Sequence, residues 1–299
     1  MNQRIRISLP AQTLELRDQR GRLLRQYPVS TAKNGAGEQN GSYRTPRGKH
    51  LIRAKIGAGQ AENTVFVRRR PTGELWTPAL GEAHPSRDWI LTRILWLSGR
   101  EPGFNRLGAV DTMRRYVYLH GTPDATEMGV PGSHGCVRMR NRDIVELFDL
   151  VPVYTPVDIV EFELETGHWT TLAAEALALR VQVFVVEQGV PADMELDEHD
   201  PLSTHVLARD AAGRPIGTGR LLPDGHIGRL AVVPEWRGKG VGRALFEALL
   251  DQAASAAMGH LALHAQTKAA GFYQRFGFDA VGAEFLEAGI PHQLMVRKG

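Results

Sequence analysis

Residues 133–138 read SHGCVR and contain the only cysteine among the 299 residues of the chain. Upstream, residues 116–119 (YVYL) form an alternating apolar run that predicts a strand, so the next residue, His120, should lie at a strand end. A thiol attacks carbonyls as thiolate, and its ordinary pKa is about 8.5, so a catalytic cysteine needs a nearby imidazole or backbone donors. Both are present within this short part of the sequence.

Glycines flank the cysteine segment at positions 132 and 135. A glycine beside a nucleophile allows a tight turn in which successive N–H groups point at one oxyanion. The alternative is structural: a lone cysteine is often a small buried apolar residue, and a histidine near a strand end is often a hydrogen-bonded packing residue. It is the combination of these features that indicates an acyl-transfer site.

Together, HGT at residues 120–122, GSHGCVR at residues 132–138 and the later Asp143 resemble the signature of the YkuD-type L,D-transpeptidase family. The resemblance covers a first domain at residues 1–162 and implies a mainly β fold. It implies that Cys136 is the acylated nucleophile, that His120 takes the thiol proton, and that the Gly121 carbonyl orients the imidazole. It further implies an oxyanion and substrate-binding segment formed by Ser133, His134, Gly135 and Cys136.

Arg138 occupies the position at which many family members carry arginine. By the resemblance it recognises a substrate carboxylate, which suits the planar fork of donors on a guanidinium. The alternative is a solvent-facing ion pair with Asp143.

Length, charge and cysteine content indicate the general class of protein. A length of 299 residues predicts two domains, and a net charge of +3 gives no reason to expect nucleic acid as a partner. The N-terminus lacks the apolar run of a signal peptide, and no stretch is expected to reach the length of a membrane span. A single cysteine rules out an intrachain disulfide and fits a reducing compartment. We therefore expect a cytoplasmic enzyme without membrane contact, of unspecified oligomeric state.

The first half predicts short strands at 4–9, 13–18, 23–30, 50–56 and 151–160, with one helix at 141–150. Three tryptophans among proline and glycine at residues 68–105 predict core packing and, in part, a loop or lid over the thiol.

The second half, assigned to a domain at residues 163–299, begins with a predicted helix at 171–186 and continues with strands at 204–209, 215–222 and 226–233. The run RGKGVG at residues 237–242 then separates an apolar strand from an amphipathic helix at 243–257. Strand, glycine loop and helix N-terminus form a phosphate-binding arrangement, because glycines let backbone N–H groups approach a pyrophosphate. A glycine triplet alone is weak evidence and also occurs in ordinary tight turns.

That run, followed by GFYQRFGF at residues 271–278, resembles the GCN5-related N-acetyltransferase (GNAT) family and, within it, an ElaA-like branch. The resemblance implies an α/β (α+β) fold with a mixed central sheet, acetyl-CoA as co-substrate and no metal. It implies that Tyr273 protonates the departing thiolate, whereas the alternative is aromatic packing beside Phe272 and Phe276. The implied cofactor-binding residues are Leu230, Ala231 and Val232 for pantetheine and Arg237, Gly238, Lys239, Gly240, Val241 and Gly242 for the pyrophosphate.

An amine acceptor must lose a proton before it attacks a thioester. The sequence leaves four bases open: Glu187, Glu195, His199 and His264. The overall expectation is a bifunctional enzyme with a peptidoglycan stem peptide or muropeptide and an amine acceptor as partners. The leading candidate activity of the first domain is L,D-carboxypeptidase trimming of recycled tetrapeptides, and the second is L,D-transpeptidation. A non-catalytic muropeptide sensor that regulates the acetyltransferase, or two unrelated activities on one chain, remain as alternatives.

Overall fold

A computed structural model describes residues 3–195 and 197–298 of the chain. The described chain divides into two compact units, one formed mainly by residues up to Glu161 and the other mainly from Phe162 onward.

The first unit is built mainly from β-strands, with two α-helices. In chain order its elements are β1 (Arg4–Ser8), β2 (Thr13–Arg17), β3 (Leu23–Pro28), β4 (Gly48–Ile56), β5 (Thr64–Val67), β6 (Arg70–Leu75), α1 (Pro78–Ala83), β7 (Ile90–Gly99), β8 (Tyr118–Thr122), β9 (Val137–Arg140), α2 (Asn141–Leu150) and β10 (Pro156–Val160).

These strands join in one sheet with the order β3-β2-β1-β10-β4-β7-β5-β6, and β8 pairs with both β7 and β9. Alternate residues along β8 and β9 face a buried apolar core that also includes side chains of β1, β2 and α2. Leu119, Val137 and Met139 belong to this core and are fully buried. The remaining residues of β8 and β9 therefore point to the opposite face, since side chains alternate along a strand.

One expectation for this unit is wrong. His120 lies in the middle of β8 rather than at its end, because the strand continues through Thr122 in parallel pairing with β9. Core packing and a loop were both predicted within 68–105. Residues 84–89 are a loop between α1 and β7, and β7 is a ten-residue strand that pairs with β4, β5 and β8. Its apolar residues fill the core, which the scattered tryptophans, glycines and prolines concealed in the sequence.

The second unit alternates strands and helices, as the sequence predicted. Its regular elements are β11 (Phe162–His168), α3 (Trp169–Arg180), β12 (Thr204–Asp210), β13 (Pro215–Leu221), β14 (Ile227–Val232), α4 (Val241–Ser255), β15 (His260–Gln266), α5 (Ala270–Gln274), β16 (Asp279–Glu287) and β17 (Ile290–Lys298). A π-helical segment, Val181–Glu187, continues α3.

The strands of this unit form two sheets, β11-β12-β13-β14 and β15-β17-β16. They touch through a single parallel bridge between His226 and Ala262, so β14 and β15 separate beyond that point. This leaves one edge of β14 open along Leu230–Val232. The result is the α/β arrangement with a curled, mixed sheet that was expected.

The start of this unit differs from the sequence prediction in two respects, which concern the segment Trp169–Glu187 and the strand before it. The segment forms a 19-residue helix that is long and apolar enough to cross a membrane by length and composition alone, whereas no such stretch was expected. A helix at 171–186 was predicted here, but its length and apolar composition were not related to a membrane span. Leu172, Ala176 and Leu179 on one face are buried within the unit. The preceding strand β11 was not predicted, because its apolar–polar alternation covers only residues 162–165 and ends at Thr166, Gly167 and His168.

Candidate functional site

The parallel pairing of β8 with β9 assembles the first site. Leu119 pairs with Val137 and His120 with Arg138, which places Cys136, one residue before β9, beside Tyr118. Because Leu119 and Val137 face the core, the side chains of Tyr118, His120, Cys136 and Arg138 share the opposite face. The structure thus brings the expected nucleophile, base and carboxylate-binding residue to one surface.

Cys136 is half-buried against an apolar cluster that includes Phe66, Ile94 and Tyr118. Its Sγ accepts the Tyr118 N–H at 3.4 Å and lies 3.5 Å from the Tyr116 carbonyl oxygen. Burial raises the pKa of the Cys136 thiol to about 12, and the Tyr118 N–H opposes this effect only in part. The resting side chain is therefore a neutral thiol.

His120 is 1% exposed, and its Nδ1–H donates to the Gly121 carbonyl oxygen at 2.8 Å. This bond fixes the tautomer and leaves Nε2 as the basic nitrogen. Burial lowers the pKa of His120 to about 4, so the imidazole also rests neutral. Within residues 3–195 and 197–298, no hydrogen bond joins the His120 ring to the Cys136 thiol.

Gly121 must be a glycine for a steric reason. A Cβ atom there would lie 2.8 Å from the Leu91 carbonyl oxygen and would clash with the Asn141 side chain. Asn141 is itself fixed, since its Oδ1 accepts Thr92 Oγ1 at 2.6 Å and its Nδ2 donates to Asn63 at 2.8 Å. This buried polar network holds the peptide unit whose carbonyl orients His120.

The segment before β9 adopts the expected tight turn, with Gly135 at φ +126°. Ser133 Oγ accepts the Gly135 N–H at 3.2 Å and donates to the Cys136 carbonyl at 2.5 Å. Ser133 therefore shapes the turn, and the Gly135 N–H is already engaged. The N–H groups of His134 and Cys136 are the remaining donors of this segment for an oxyanion. The His134 ring is half-exposed and lies edge-on to Tyr43.

Asp88 is a site residue that the sequence analysis missed. Its carboxylate accepts Arg138 Nη2 at 2.7 Å and lies 3.4 Å from His134 Nδ1. Burial favours the neutral acid, but the neighbouring His120, Arg138 and His134 together outweigh it and keep the pKa of Asp88 below its ordinary value. The alternative of an Arg138–Asp143 ion pair is wrong, because Arg138 pairs with Asp88 and Asp143 on α2 pairs with Arg142.

The glycine loop before α4 has the geometry of a phosphate cradle. Gly238 and Gly240 adopt positive φ angles of +74° and +89°, and a Cβ atom at either would meet no heavy atom within 4 Å. A Cβ at Gly242 would meet only Val232, at 3.6 Å. The open space lies at the N-terminus of α4, a 15-residue helix beginning at Val241, whose first N–H groups have no partner within the helix. The chain's residues fit a pyrophosphate here.

The two cations of this loop are already in contact with neighbours. Arg237 donates two hydrogen bonds to Glu187, at 2.6 and 2.7 Å, and a third to the Val232 carbonyl at 2.9 Å. Lys239 Nζ lies 4.9 Å from the centre of the Trp236 ring. Both side chains remain near the loop, so each can add positive charge to a bound phosphate after a small rearrangement.

A cavity of about 510 Å³ opens where β14 and β15 separate. Leu230 on the open edge of β14 and Tyr273 on α5 both line it. Tyr273 also packs against Phe246 and Phe272, with ring centres 5.1 and 5.0 Å away, so packing and access to the cavity coexist. Burial raises the pKa of Tyr273 to about 12, which keeps its hydroxyl protonated. Among the described residues, no group of three or more His, Cys, Asp or Glu is arranged to hold a metal ion.

Comparison with known proteins assigns both units to families. Residues 2–159 match the YkuD model, the L,D-transpeptidase catalytic domain, and residues 169–298 match an acetyltransferase (GNAT) domain. The uncharacterized N-acetyltransferase YjcF of Bacillus subtilis is 39% identical over 127 residues, which cover 41% of this chain and 90% of YjcF.

Two solved structures are also similar. Escherichia coli ElaA is 29% identical, over 46% of this chain and 99% of its own, with a TM-score of 0.43. An L,D-transpeptidase from Mycobacterium smegmatis is 19% identical, over 53% of this chain and 58% of its own, with a TM-score of 0.31.

The YkuD model covers more than half of the chain, so the chain belongs to the YkuD L,D-transpeptidase family and carries a GNAT acetyltransferase domain as its second unit. Both resemblances drawn from the sequence are confirmed. The GNAT fold implies acetyl-CoA as co-substrate.

The contact between Asp88 and the site gives a testable pH effect. The negative charge of Asp88 is one of the influences that raise the thiol pKa. Asp88→Asn should therefore lower the pKa of Cys136 and move the pH profile of its alkylation by iodoacetamide to lower pH. Asp149→Asn, on the exposed end of α2, is the control and should leave the profile unchanged. A profile that stays in place or moves to higher pH in Asp88→Asn would contradict this electrostatic assignment.

The glycine loop gives a second prediction. Gly240→Val should abolish acetyl-CoA binding measured by calorimetry, because a branched side chain disfavours the positive φ and fills the open space. Gly259→Val is the matched control, since Gly259 is also open but does not adopt a positive φ. Unchanged affinity in a folded Gly240→Val protein would overturn the phosphate-cradle assignment.

Proposed function

We propose that the chain is a bifunctional cytoplasmic enzyme. Its first unit uses Cys136 to trim the terminal D-Ala from tetrapeptide stems of recycled muropeptides, as an L,D-carboxypeptidase. Its second unit transfers an acetyl group from acetyl-CoA to an amine. The observation that carries the first assignment is the shared face of β8 and β9, which holds both a neutral thiol and a tautomer-fixed imidazole.

The neutral resting pair supports a mechanism in which the thiol loses its proton only during attack. Cys136 Sγ bonds to the carbonyl carbon of the L-centre as Nε2 of His120 takes the thiol proton. The C–N bond to D-Ala then breaks, and the imidazolium returns the proton to the leaving amine. The N–H groups of His134 and Cys136 are placed to stabilise the oxyanion.

The resulting thioester is resolved by water in this proposal. Water attacks the acyl carbon as its proton passes to His120. The C–S bond then breaks, and the imidazolium returns the proton to the Cys136 sulfur. An amine in place of water would give L,D-transpeptidation. The products formed from a tetrapeptide muropeptide distinguish the two reactions. Arg138 can bind the substrate carboxylate if that carboxylate takes the place of Asp88 on the guanidinium.

Acetyl transfer in the second unit relies on three parts of this chain. The glycine loop and the N-terminus of α4 bind the pyrophosphate, and the open edge of β14 at Leu230–Val232 offers backbone groups to the pantetheine arm. Tyr273, which remains protonated, gives its proton to the departing coenzyme A thiolate. Acetyl-CoA supplies the activated acyl group.

The central experiment incubates the protein with a tetrapeptide muropeptide, with and without acetyl-CoA, and identifies the products by mass. The expected products are a tripeptide muropeptide and free D-Ala, formed by hydrolysis of the terminal peptide bond. Cys136→Ser should abolish this cleavage and keep acetyl-CoA affinity, because the thiol and the cofactor site belong to separate units. Cross-linked or D-amino-acid-exchanged products would indicate transpeptidation, and no turnover by the wild-type protein would contradict both.

A further prediction separates the two roles of Tyr273. Tyr273→Phe retains the aromatic packing against Phe246 and Phe272 but removes the acid, so acetyl transfer should slow about 10²- to 10⁴-fold with unchanged cofactor affinity. Turnover is measured with an amine found by library screening. Near wild-type turnover in the variant, with chemistry shown to limit the rate, would leave Tyr273 as a packing residue.

A further inference from the structure

Acetyl transfer to an amine requires a group that removes a proton from the attacking nitrogen. The sequence left Glu187, Glu195, His199 and His264 open for this role. Such a group must reach the cavity between β14 and β15 and must have an acceptor atom that no neighbour occupies. The structure separates the four on these two criteria.

Glu187 fails both criteria, and Glu195 is buried and paired with an arginine. Glu187 accepts two hydrogen bonds from Arg237, and it does not line the cavity. Glu195 lines the cavity but is 2% exposed and accepts a hydrogen bond from the buried Arg180. A carboxylate held by a guanidinium is stabilised in its charged form and is a poor acceptor for a further proton.

The two histidines both line the cavity but differ in how their rings are held. Nδ1 of His264 on β15 lies 3.0 Å from Glu287 Oε2 on β16. For His199, no hydrogen bond to the ring is found within residues 3–195 and 197–298. An imidazole whose Nδ1–H donates to a carboxylate presents its Nε2 as the proton acceptor, which is the arrangement of an oriented general base.

Two further rings, those of Phe285 and His226, pack against the His264 ring. The ring meets Phe285 edge-on, with centres 4.9 Å apart, and His226 at a right angle, with centres 5.0 Å apart. Burial lowers the pKa of His226, so this neighbour is neutral and does not repel a proton on His264 at neutral pH. The charged side chains that line the cavity with His264 are Glu195, Asp197, Arg220, Asp224, Arg229 and Glu287.

We propose that His264 is the general base of the acetyltransferase unit and that Glu287 is its positioning residue. The inference rests on the proposed acetyl transfer and specifies its unassigned proton acceptor. The amine nitrogen bonds to the acetyl carbonyl carbon, one N–H proton passes to His264 Nε2, and the C–S bond breaks. The departing thiolate takes its proton from Tyr273, which lines the same cavity.

The first test compares single variants for acetyl transfer to a screened amine, with acetyl-CoA affinity measured in parallel by calorimetry. His264→Gln should lower kcat by about 10²- to 10⁴-fold and keep the affinity for acetyl-CoA. His264→Ala should recover activity when imidazole is added, because the ring is half-exposed and its removal leaves a space open to solvent. His260→Gln, on the same strand but outside the cavity, is the matched control and should keep the wild-type rate.

The second test addresses Glu287 through the tautomer of its partner. In ¹⁵N spectra of the neutral wild-type ring, the proton of His264 should reside on Nδ1, and Glu287→Gln should give a mixture of tautomers with a reduced kcat. A residue that only stabilised the fold would leave the tautomer unchanged.

Three results would overturn the proposal in distinguishable ways. Full activity of His264→Gln in a protein that binds and uses acetyl-CoA refutes the assignment of His264 as general base and leaves the acetyltransferase function standing. A loss of activity in His199→Gln with none in His264→Gln transfers the role to His199. A wild-type protein that binds no acetyl-CoA refutes the acetyltransferase function and this base together.

Discussion

The parallel register between β8 and β9 is the constraint on which the first site depends. Pairing of Leu119 with Val137 directs these two side chains into the core and, by alternation, directs Tyr118, His120 and Cys136 to the other face. A slip of one residue would turn the imidazole into the apolar core and move the core leucine to the opposite face. Correct packing of the apolar core therefore selects the only register in which thiol and imidazole share a surface.

Burial on that surface then determines the chemical state of the pair. A thiol surrounded by Phe66, Ile94 and Tyr118 is costly to ionise, and a 1% exposed imidazole is costly to protonate. A preformed thiolate–imidazolium pair would place two charges in this poorly solvated region. The neutral pair is consistent with the proposed mechanism, in which proton transfer accompanies bond formation to the substrate carbonyl.

The parts of both sites that follow from local sequence were predictable. Glycines at 135 and 240 indicated turns, and a lone cysteine between His120 and Arg138 indicated an acyl-transfer site. Contacts between residues far apart in the chain were not predictable, because no local sequence pattern encodes them. Asp88 meets Arg138 across 50 positions, and Glu287 meets His264 across 23. The strand β11 was also missed, since its two-residue alternation is limited to residues 162–165.

The protonation state of His120 tests the account of the first site most directly. Titration of the wild-type protein followed by ¹⁵N NMR should show a neutral His120 ring protonated on Nδ1 at pH 7, with protonation of Nε2 only near pH 4. An imidazolium signal from His120 at pH 7 that disappears in Cys136→Ser would contradict the account, because it would reveal a preformed ion pair with the thiolate.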